Sequence, residues 1–504
     1  MKKKIQLLGL LGGPLLAAGV YLLLPSAHPT DALEAAGGLT QAGRAVAAVG
    51  TLMAVWWLSE AVPIPATALL PLALFPLLTG GEITIRAAAS SYGHDLIFLF
   101  IGGFMLALTM ERWQLHRRLA LRTILLVGTR PRRMILGFMI ASAGLSMWIS
   151  NTATVVMMLP IALSVIELVR QALRGAEDPA LPEDGKPFPF AICLLLGTAY
   201  GASIGGLATL IGTPPNALLA AFVSENYDRQ ITMQSWLPIG LSATVLFLPL
   251  CWWLLTRLVF PVRLPPIPGG RTLIREQLSN LGKMSAAEIR VSVIFLATAL
   301  AWISRGWLTR MEIGGSTPFS GLSDAGIAML AAVLLFAVPA GQGGERLLTW
   351  TQAVKLPWGI LLLFGGGLSL AAAIRSTGVD QFIGGSVAGL EGAPTPVLVT
   401  ASAALVILLT EMTSNTATTA TFLPIFGAAA EGLGLDPLLL LVPVTLAASC
   451  AFMMPVATPP NAIVFGSGEI TIPQMCKAGI WLNLIGLVIV VGVVYGIAVP
   501  LMGL

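Results

Sequence analysis

The chain has few charged residues and few of the side chains that usually carry out catalysis. Charged residues make up 10% of its 504 positions, whereas hydrophobic residues make up 56%. A soluble protein of this length cannot bury that much apolar surface, which argues against a soluble enzyme or binding domain. The few histidines and cysteines are scattered, at His28, His94, His116, Cys193, Cys251, Cys450 and Cys476. This scatter argues against a zinc site, a disulfide framework and a membrane-embedded catalytic centre.

Long apolar runs recur instead from one end of the chain to the other. A run of about 20 residues can cross the roughly 30 Å core of a bilayer as a helix. Because the runs are longer than strands and rich in Leu, Ala, Gly and Ile, they predict an all-α polytopic membrane protein rather than a barrel. About eleven transmembrane helices are expected, at 5–24, 44–60, 64–79, 94–112, 190–222, 236–258, 289–308, 322–340, 357–377, 437–466 and 478–502. The first follows MKKK and has no clear cleavage site, so we expect it to be retained.

One polar motif occurs twice within apolar surroundings. Residues 150–161 read SNTATVVMMLPI, and residues 414–425 read SNTATTATFLPI. The apolar stretch around the first copy, read as one straight helix, would be about 54 Å long, too long for a bilayer. The flanks of the first copy are basic and those of the second are acidic. We therefore predict two re-entrant helical hairpins, at 132–169 and 394–430, that enter from opposite faces as an inverted repeat.

A second motif, TPPN, is also present twice, at 213–216 and 458–461. Proline removes a backbone donor and clashes with the preceding helical turn, so two prolines in succession break a helix. The sequence therefore predicts broken helices at 190–222 and 437–466, whose unwound backbone can bind an ion or a substrate.

Glycine pairs form a third repeated feature. Residues 100–103 read FIGG and residues 363–366 read LFGG, and we expect these glycines to allow close helix packing. Each half of the chain thus carries, in the same order, a glycine-pair span, an SNT hairpin and a span broken by TPPN. This order favours two structurally related halves.

Lysine and arginine are distributed unevenly among the predicted loops. If the N-terminus is cytoplasmic and the two hairpin segments do not cross the membrane, 22 of the 28 basic residues lie on the cytoplasmic side. The exceptions are Arg44, Arg86, Arg229, Arg305, Arg310 and Arg375. This asymmetry is what the positive-inside rule expects of a cytoplasmic N-terminus and an external C-terminus. We expect the protein to lie in a bacterial inner membrane.

The polar motifs suit the binding of an anion together with a cation. A hairpin tip capped by Ser, Asn or Thr points amide N–H groups and a positive helix end at an anion, while its oxygens suit Na⁺. No Lys or Arg falls between Met134 and Val169, within 394–430 or beside TPPN, and Arg170 and Arg375 are the nearest candidates. We therefore expect bound cations to offset the charge of a buried anion. Glu411, three residues before Ser414, is interpreted as a buried structural partner rather than a proton carrier.

At these motifs the sequence resembles the divalent anion/sodium symporter family, the INDY-type dicarboxylate transporters. The likeness covers nearly the whole chain and includes WWLSEAVP at 56–63, both SNT motifs, both TPPN motifs and their order. It implies a homodimer in the lipid bilayer, with a scaffold domain and a transport domain that moves as an elevator. It also implies sodium-coupled transport of a small divalent anion, foremost a C4-dicarboxylate such as succinate, malate or fumarate, and no nucleic-acid partner.

The resemblance assigns domains and site residues to this chain. Scaffold helices would occupy 1–112 and 259–378, and the transport domain 113–258 and 379–504. The substrate would contact Ser150, Asn151, Thr152, Thr213, Pro214, Ser414, Asn415, Thr416, Thr458 and Pro459. The first sodium site would use Ser146, Ser150, Asn151 and Gly212, and the second Thr410, Thr413, Asn415 and Ala457. Thr413 replaces a residue that is often smaller in the family.

Other functions fit parts of the sequence. Within transport, the alternatives are a sodium-independent dicarboxylate exchanger and a carrier of sulfate or citrate. A membrane-embedded enzyme would need intramembrane His, Asp or Cys groups, and the sequence offers no such group of residues. A channel is a third possibility, but broken helices in both halves favour alternating access.

Overall fold

The computed structural model describes residues 2–26, 38–128, 130–175, 188–265, 269–313, 315–341, 344–387, 389 and 392–504. Their regular structure is helical, with isolated β-bridges as the exception. Within these ranges, nine helical segments are long and apolar enough to cross a membrane by length and composition. The predicted all-α membrane fold is therefore confirmed.

The first half of the chain contains helices α1 to α12. Their bounds are α1 (Lys2–Leu23), α2 (Gln41–Ser59), α3 (Ile64–Thr67), α4 (Leu70–Leu78), α5 (Ile85–Ser90), α6 (Asp95–Arg112), α7 (Leu115–Val127), α8 (Pro131–Ser146), α9 (Asn151–Gly175), α10 (Pro189–Gly206), α11 (Pro214–Tyr227) and α12 (Met233–Trp253). A 3₁₀ turn at Ser91–Gly93 precedes α6, and a π-helical turn at Leu254–Val259 extends α12.

The second half contains helices α13 to α24. Their bounds are α13 (Gly270–Ser279), α14 (Ala286–Leu308), α15 (Asp324–Ala337), α16 (Trp350–Ala353), α17 (Trp358–Ser376), α18 (Val379–Ser386), α19 (Thr395–Thr410), α20 (Asn415–Gly432), α21 (Leu438–Ala448), α22 (Pro459–Phe465), α23 (Ile472–Val493) and α24 (Val499–Met502). A π-helical turn at Val494–Ala498 joins α23 to α24.

The order of elements from α6 to α12 is repeated from α17 to α23. In both series a glycine-rich helix and a shorter helix come first, and two helices then flank the SNT motif. Two further helices flank TPPN, and a long helix that runs into a π-helical turn ends the series. The three sequence motifs therefore occupy equivalent places in the two halves.

Three predicted elements differ in length from the structure. The span predicted at 64–79 is two short helices that are separated at Ala68 and Leu69. Pro71 at the start of α4 has no backbone N–H to continue the helix from α3, and the Ala68 carbonyl accepts a hydrogen bond from the Tyr92 hydroxyl. The span at 322–340 is the 14-residue α15, which ends where Val338 becomes extended. Helix α9 has 25 residues, or about 37 Å, and extends to Gly175, beyond the end at 169 that was predicted for the first hairpin. It continues because no glycine interrupts it before Gly175.

The glycine pairs lie at close helix contacts, as predicted. A Cβ added to Gly102 on α6 would lie 2.5 Å from the backbone of Ala328 on α15. A Cβ on Gly366 of α17 would lie 2.3 Å from the carbonyl oxygen of Ala68, between α3 and α4. The glycines of α6 and α17 therefore let these helices pack directly against the backbone of a neighbouring segment, where a larger side chain would not fit.

Candidate substrate and sodium site

The first SNT motif forms the turn between two consecutive helices. Helix α8 ends at Ser146 and α9 begins at Asn151, so only four residues separate them. The Ser150 hydroxyl accepts a hydrogen bond from the Ala153 amide at 3.2 Å, as an N-cap residue does. The Ser146 hydroxyl donates to Asn151 Oδ1. The Asn151 side chain is thus fixed at the start of α9.

The second SNT motif has the same arrangement. Helix α19 ends at Thr410 and α20 begins at Asn415. The Thr410 hydroxyl lies 2.7 Å from Asn415 Oδ1 and 2.8 Å from the carbonyl oxygen of Ala448. In both tips, a hydroxyl five residues before the asparagine therefore contacts the asparagine oxygen.

The asparagine of each TPPN motif holds the unwound backbone between two helices. Asn216 Nδ2 donates to the carbonyl oxygens of Gly206, Leu207 and Thr209, the last at 2.8 Å. Asn461 Nδ2 donates to the carbonyls of Ala451 and Met454, at 3.2 and 3.1 Å. Both predicted breaks are confirmed. The side chains that stabilise them, Asn216 and Asn461, were not among the predicted site residues.

The first hairpin tip and the first broken helix meet at two glycines. A Cβ on Gly206 would lie 2.8 Å from Asn151 Oδ1 and 3.1 Å from the carbonyl oxygen of Gly212. A Cβ on Gly212 would lie 2.5 Å from the Gly206 carbonyl oxygen. Thr209 ties the two segments together, because its hydroxyl donates to the Met147 carbonyl and accepts from the Gly212 amide. The carbonyl oxygens of Gly206 and Gly212 and the side-chain oxygen of Asn151 therefore lie close together, in a space that a larger side chain at either glycine would fill.

The second hairpin is tied to its broken helix by a buried carboxylate. Glu411, directly after α19, is 5% exposed. One carboxylate oxygen accepts from the Phe452 amide at 2.7 Å and from Asn483 Nδ2 at 2.7 Å. The other accepts from the Met453 and Met454 amides at 3.0 Å each. Glu411 is thus a buried partner of the unwound segment that leads to Ala457, in line with its interpretation from sequence.

Replacing Glu411 with Gln is expected to destabilise the fold. The neutral amide keeps one acceptor but places an NH₂ group against backbone N–H donors. Hydrogen bonds to a charged group contribute about 1.5–3 kcal/mol each, so a loss of this order in the free energy of unfolding is predicted. Thermal unfolding of the purified protein measures it, with the exposed Glu276→Gln as the control. Equal unfolding temperatures for the two variants would refute the structural role of Glu411.

A cavity of about 1000 Å³ lies between the two hairpin tips. All ten predicted substrate residues line it: Ser150, Asn151, Thr152, Thr213, Pro214, Ser414, Asn415, Thr416, Thr458 and Pro459. Gly212 and Ala457 line it as well, while Ser146, Thr410 and Thr413 are not part of the lining. Ser146 and Thr410 instead contact the two asparagines from behind.

A second wall of the cavity comes from α6, from the link into α17 with the first turn of α17, and from the residue that follows α2. It is mostly apolar, with Phe104, Ala107, Leu108, Leu356, Pro357 and Ile360. Three charged residues, Glu60, Glu111 and Lys355, also line it. One wall therefore carries the polar motifs, and the facing wall carries apolar side chains with charges.

Lys355 corrects the expectation about the nearest cation. Arg170 instead pairs with Glu469 at 2.6 Å, and Arg375 lies 5.4 Å from the centre of the Tyr227 ring. Neither lines the cavity. Distance along the chain cannot show that the turn before α17 reaches the cavity. The available signal was a lone lysine just before Leu-Pro-Trp at the start of a glycine-rich span.

The polar wall of the cavity favours an anion, although it carries no full positive charge. The first residues of α9, α11 and α20 all line it. Helix N-termini carry partial positive charge and unpaired amide groups, which attract carboxylates. Among the residues that the structure describes, no group of three or more His, Cys, Asp or Glu could hold a metal ion, and His28 lies outside those residues.

Comparisons with known proteins agree over the full length. The family model described as sodium:sulfate symporter transmembrane region matches residues 18–504. The sodium-dependent dicarboxylate transporter SdcS of Staphylococcus saprophyticus is 42% identical over 99% of this chain and 92% of that protein. SdcS of Staphylococcus aureus strain bovine RF122 is 40% identical, with the same coverage.

A solved structure supports the fold. The chain resembles the Alcanivorax borkumensis YdaH transporter with a TM-score of 0.59 and 16% identity, over 90% of this chain and 99% of that one. At this identity the likeness concerns the fold alone. The family match and the full-length relatives together show that the chain belongs to the sodium:sulfate symporter family of membrane transporters.

Proposed function

We propose that this protein is a sodium-coupled symporter of C4-dicarboxylates such as succinate, malate and fumarate. The observation that carries the proposal is a single cavity lined by both SNT tips and both TPPN motifs. Relatives at about 40% identity over the whole chain bear the name sodium-dependent dicarboxylate transporter. Two equivalent polar tips also match a substrate with two carboxylates.

Each tip can bind one carboxylate of the substrate. In the first half, Ser150, Asn151 and Thr152 offer hydroxyl, amide and backbone donors at the N-terminus of α9. In the second half, Ser414, Asn415 and Thr416 do the same at α20. The remaining contacts come from the TPPN motifs, through Thr213, Pro214, Thr458 and Pro459. A dianion would therefore bridge the two halves.

The proposed sodium sites lie behind the same tips. The first combines Asn151 Oδ1, the hydroxyls of Ser146 and Ser150 and the backbone of Gly212. Because Gly206 and Gly212 have no side chains, the space between them remains open. Hard cations prefer such oxygen ligands, so the residues fit Na⁺.

The second sodium site combines Asn415, Thr410, Thr413 and Ala457. The Thr413 hydroxyl is engaged elsewhere, 2.6 Å from Thr418 Oγ1 and 2.8 Å from the Leu409 carbonyl. We therefore assign its backbone oxygen, rather than its side chain, to the ion. A cation at each tip supplies the positive charge that the polar wall lacks.

The two walls of the cavity suit an elevator mechanism. The polar wall belongs to the proposed transport domain (113–258 and 379–504), and the apolar wall belongs to the scaffold (1–112 and 259–378). Apart from Glu60, Glu111 and Lys355, the scaffold wall offers few polar groups that could hold the substrate while the polar site moves past it. We propose a homodimer held by the scaffold, in a bacterial inner membrane, with a cytoplasmic N-terminus and an external C-terminus.

Cysteine labelling tests the proposed topology. Single cysteines at Arg133 and Arg174, which flank the first hairpin, should react only from the cytoplasm. Single cysteines at Ala393 and Glu431, which flank the second, should react only from outside. Cys476 is replaced in the background, because it is the native cysteine that is not buried. Reaction from opposite sides within either pair would make that segment a simple span and contradict the inverted repeat.

Uptake by proteoliposomes tests the function. Labelled succinate should accumulate when sodium is higher outside and should not accumulate with choline in its place. Uptake that needs internal dicarboxylate but no sodium would identify an exchanger instead. If sulfate or citrate inhibits labelled uptake more strongly than unlabelled succinate does, the protein transports a different class of anion. That result would not contradict sodium coupling.

A further inference from the structure

We propose that Lys355 recruits the substrate dianion at the mouth of the cavity, ahead of the SNT and TPPN motifs. This inference rests on the proposed transport of dicarboxylates. Lys355 lies in the link between α16 and α17, is exposed and lines the cavity. It is a cation on the apolar wall, opposite the tips that bind the substrate.

The turn that carries Lys355 is held firmly against the end of α6. Arg112 donates to Gln352 Oε1 at 2.8 Å and to the carbonyl oxygens of Arg346 and Leu347 at 3.1 Å each. The Lys355 amide donates to the Gln352 carbonyl at 2.9 Å, and the Leu356 side chain is buried. The ammonium group therefore extends from a fixed backbone position.

Arg112 and Lys355 differ in whether they already have an acidic partner. Arg112 pairs with Glu345 at 3.1 Å in addition to its backbone contacts. In the described part of the chain, Lys355 has no ion-pair partner within bonding distance. An exposed ammonium without a partner keeps its full attraction for an anion that approaches the cavity.

The acidic residues that line the cavity include one whose charge Lys355 can offset. Glu111 lies in the last turn of α6, next to the Arg112 contacts, and Glu60 caps α2. The start of α17 reaches the same region, since a Cβ on Gly359 would lie 2.6 Å from the Pro65 ring. The Glu111 carboxylate alone would repel a dicarboxylate, and Lys355 offsets that repulsion at the mouth.

A charge in this position acts on the approach of the substrate rather than on its final binding. Its attraction for a dianion is twice that for a monoanion and falls with ionic strength, because the Debye length is only about 8–10 Å at physiological salt. Charges at the rim of a site typically change association rates and their salt dependence. Lys355 should therefore influence kcat/KM for succinate and leave the sodium activation curve unchanged.

The test compares Lys355→Gln with Lys283→Gln in inside-out vesicles. Lys283 is exposed, lies on the same predicted face and does not line the cavity, so its loss removes the same charge elsewhere. At low ionic strength, set with choline chloride at constant sodium, Lys355→Gln should lower kcat/KM for succinate by about 3- to 10-fold. The difference should shrink as choline chloride rises, and Lys355→Arg should restore the rate.

The outcomes separate this inference from the function on which it rests. Wild-type vesicles that fail to transport succinate would overturn both. Wild-type transport, with Lys355→Gln and Lys283→Gln indistinguishable at every salt concentration, would overturn the role of Lys355 alone. A loss of kcat/KM in Lys355→Gln that does not change with salt would assign the residue a packing role and also overturn recruitment.

Discussion

Alanine in place of Asn151 or Asn415 is expected to abolish sodium-driven succinate uptake while the protein remains folded. Each asparagine side chain accepts a hydrogen bond from a hydroxyl of its own hairpin and lines the cavity. In the proposed site the same side chain serves both an ion and a carboxylate. Loss of one charge-assisted hydrogen bond lowers affinity by about 10- to 100-fold, and two ligands lose a contact at once.

The asparagine variants are compared with Asn280→Ala, at an exposed position after α13. Initial rates of succinate uptake and size-exclusion profiles of the purified proteins are measured together. A monodisperse profile with no uptake is the expected result for Asn151→Ala and Asn415→Ala. Unchanged KM and kcat in both variants would show that Asn151 and Asn415 do not bind the substrate or sodium.

The second large effect is expected from Gly206→Ala, a change of one methyl group. The added Cβ would lie 2.8 Å from Asn151 Oδ1 and 3.1 Å from the Gly212 carbonyl oxygen, between two proposed sodium ligands. Either the methyl fills the space of the ion or Asn151 moves away from it. Both outcomes disrupt the first sodium site, so sodium activation of succinate uptake should be lost.

Gly144→Ala provides the matched control, because a Cβ there meets no atom within 4 Å and Gly144 also lies in a helix of the first hairpin. Alanine in a helix interior is favoured over glycine by about 1 kcal/mol, so this control should fold at least as well as the wild type. The measurement is the rate of succinate uptake as a function of sodium concentration in the two variants. A Gly206→Ala protein with normal sodium dependence would show that the ion does not lie between Gly206, Asn151 and Gly212.

Local chemistry explains which features the sequence predicts. The SNT tips and TPPN breaks rest on capping side chains and consecutive prolines, whose effect on a helix is exerted within one turn. The structure therefore places Asn151 and Asn415 at helix starts, and Pro214 and Pro459 at the ends of unwound links. Repetition of the motifs in the same order also anticipated the two matching halves.

Features that depend on packing between distant segments were not predicted. The carbonyl of Ala68, between α3 and α4, accepts a hydrogen bond from Tyr92 of a later element. The roles of Gly206 and Lys355 arise from contacts across the fold. Hydropathy and spacing carry no information about such distances, so neither residue stood out in the sequence.

The proposed coupling of sodium and dicarboxylate binding is tested most directly by equilibrium titration of the purified protein. Thermodynamic linkage requires each ligand to increase the affinity for the other by the same factor. Succinate should bind about 5- to 150-fold more tightly in sodium chloride than in choline chloride, and saturating succinate should tighten sodium binding equally. Equal succinate affinity in the two salts would contradict the sodium sites at Asn151 and Asn415 and leave helix ends and hydroxyls as the ligands of the anion.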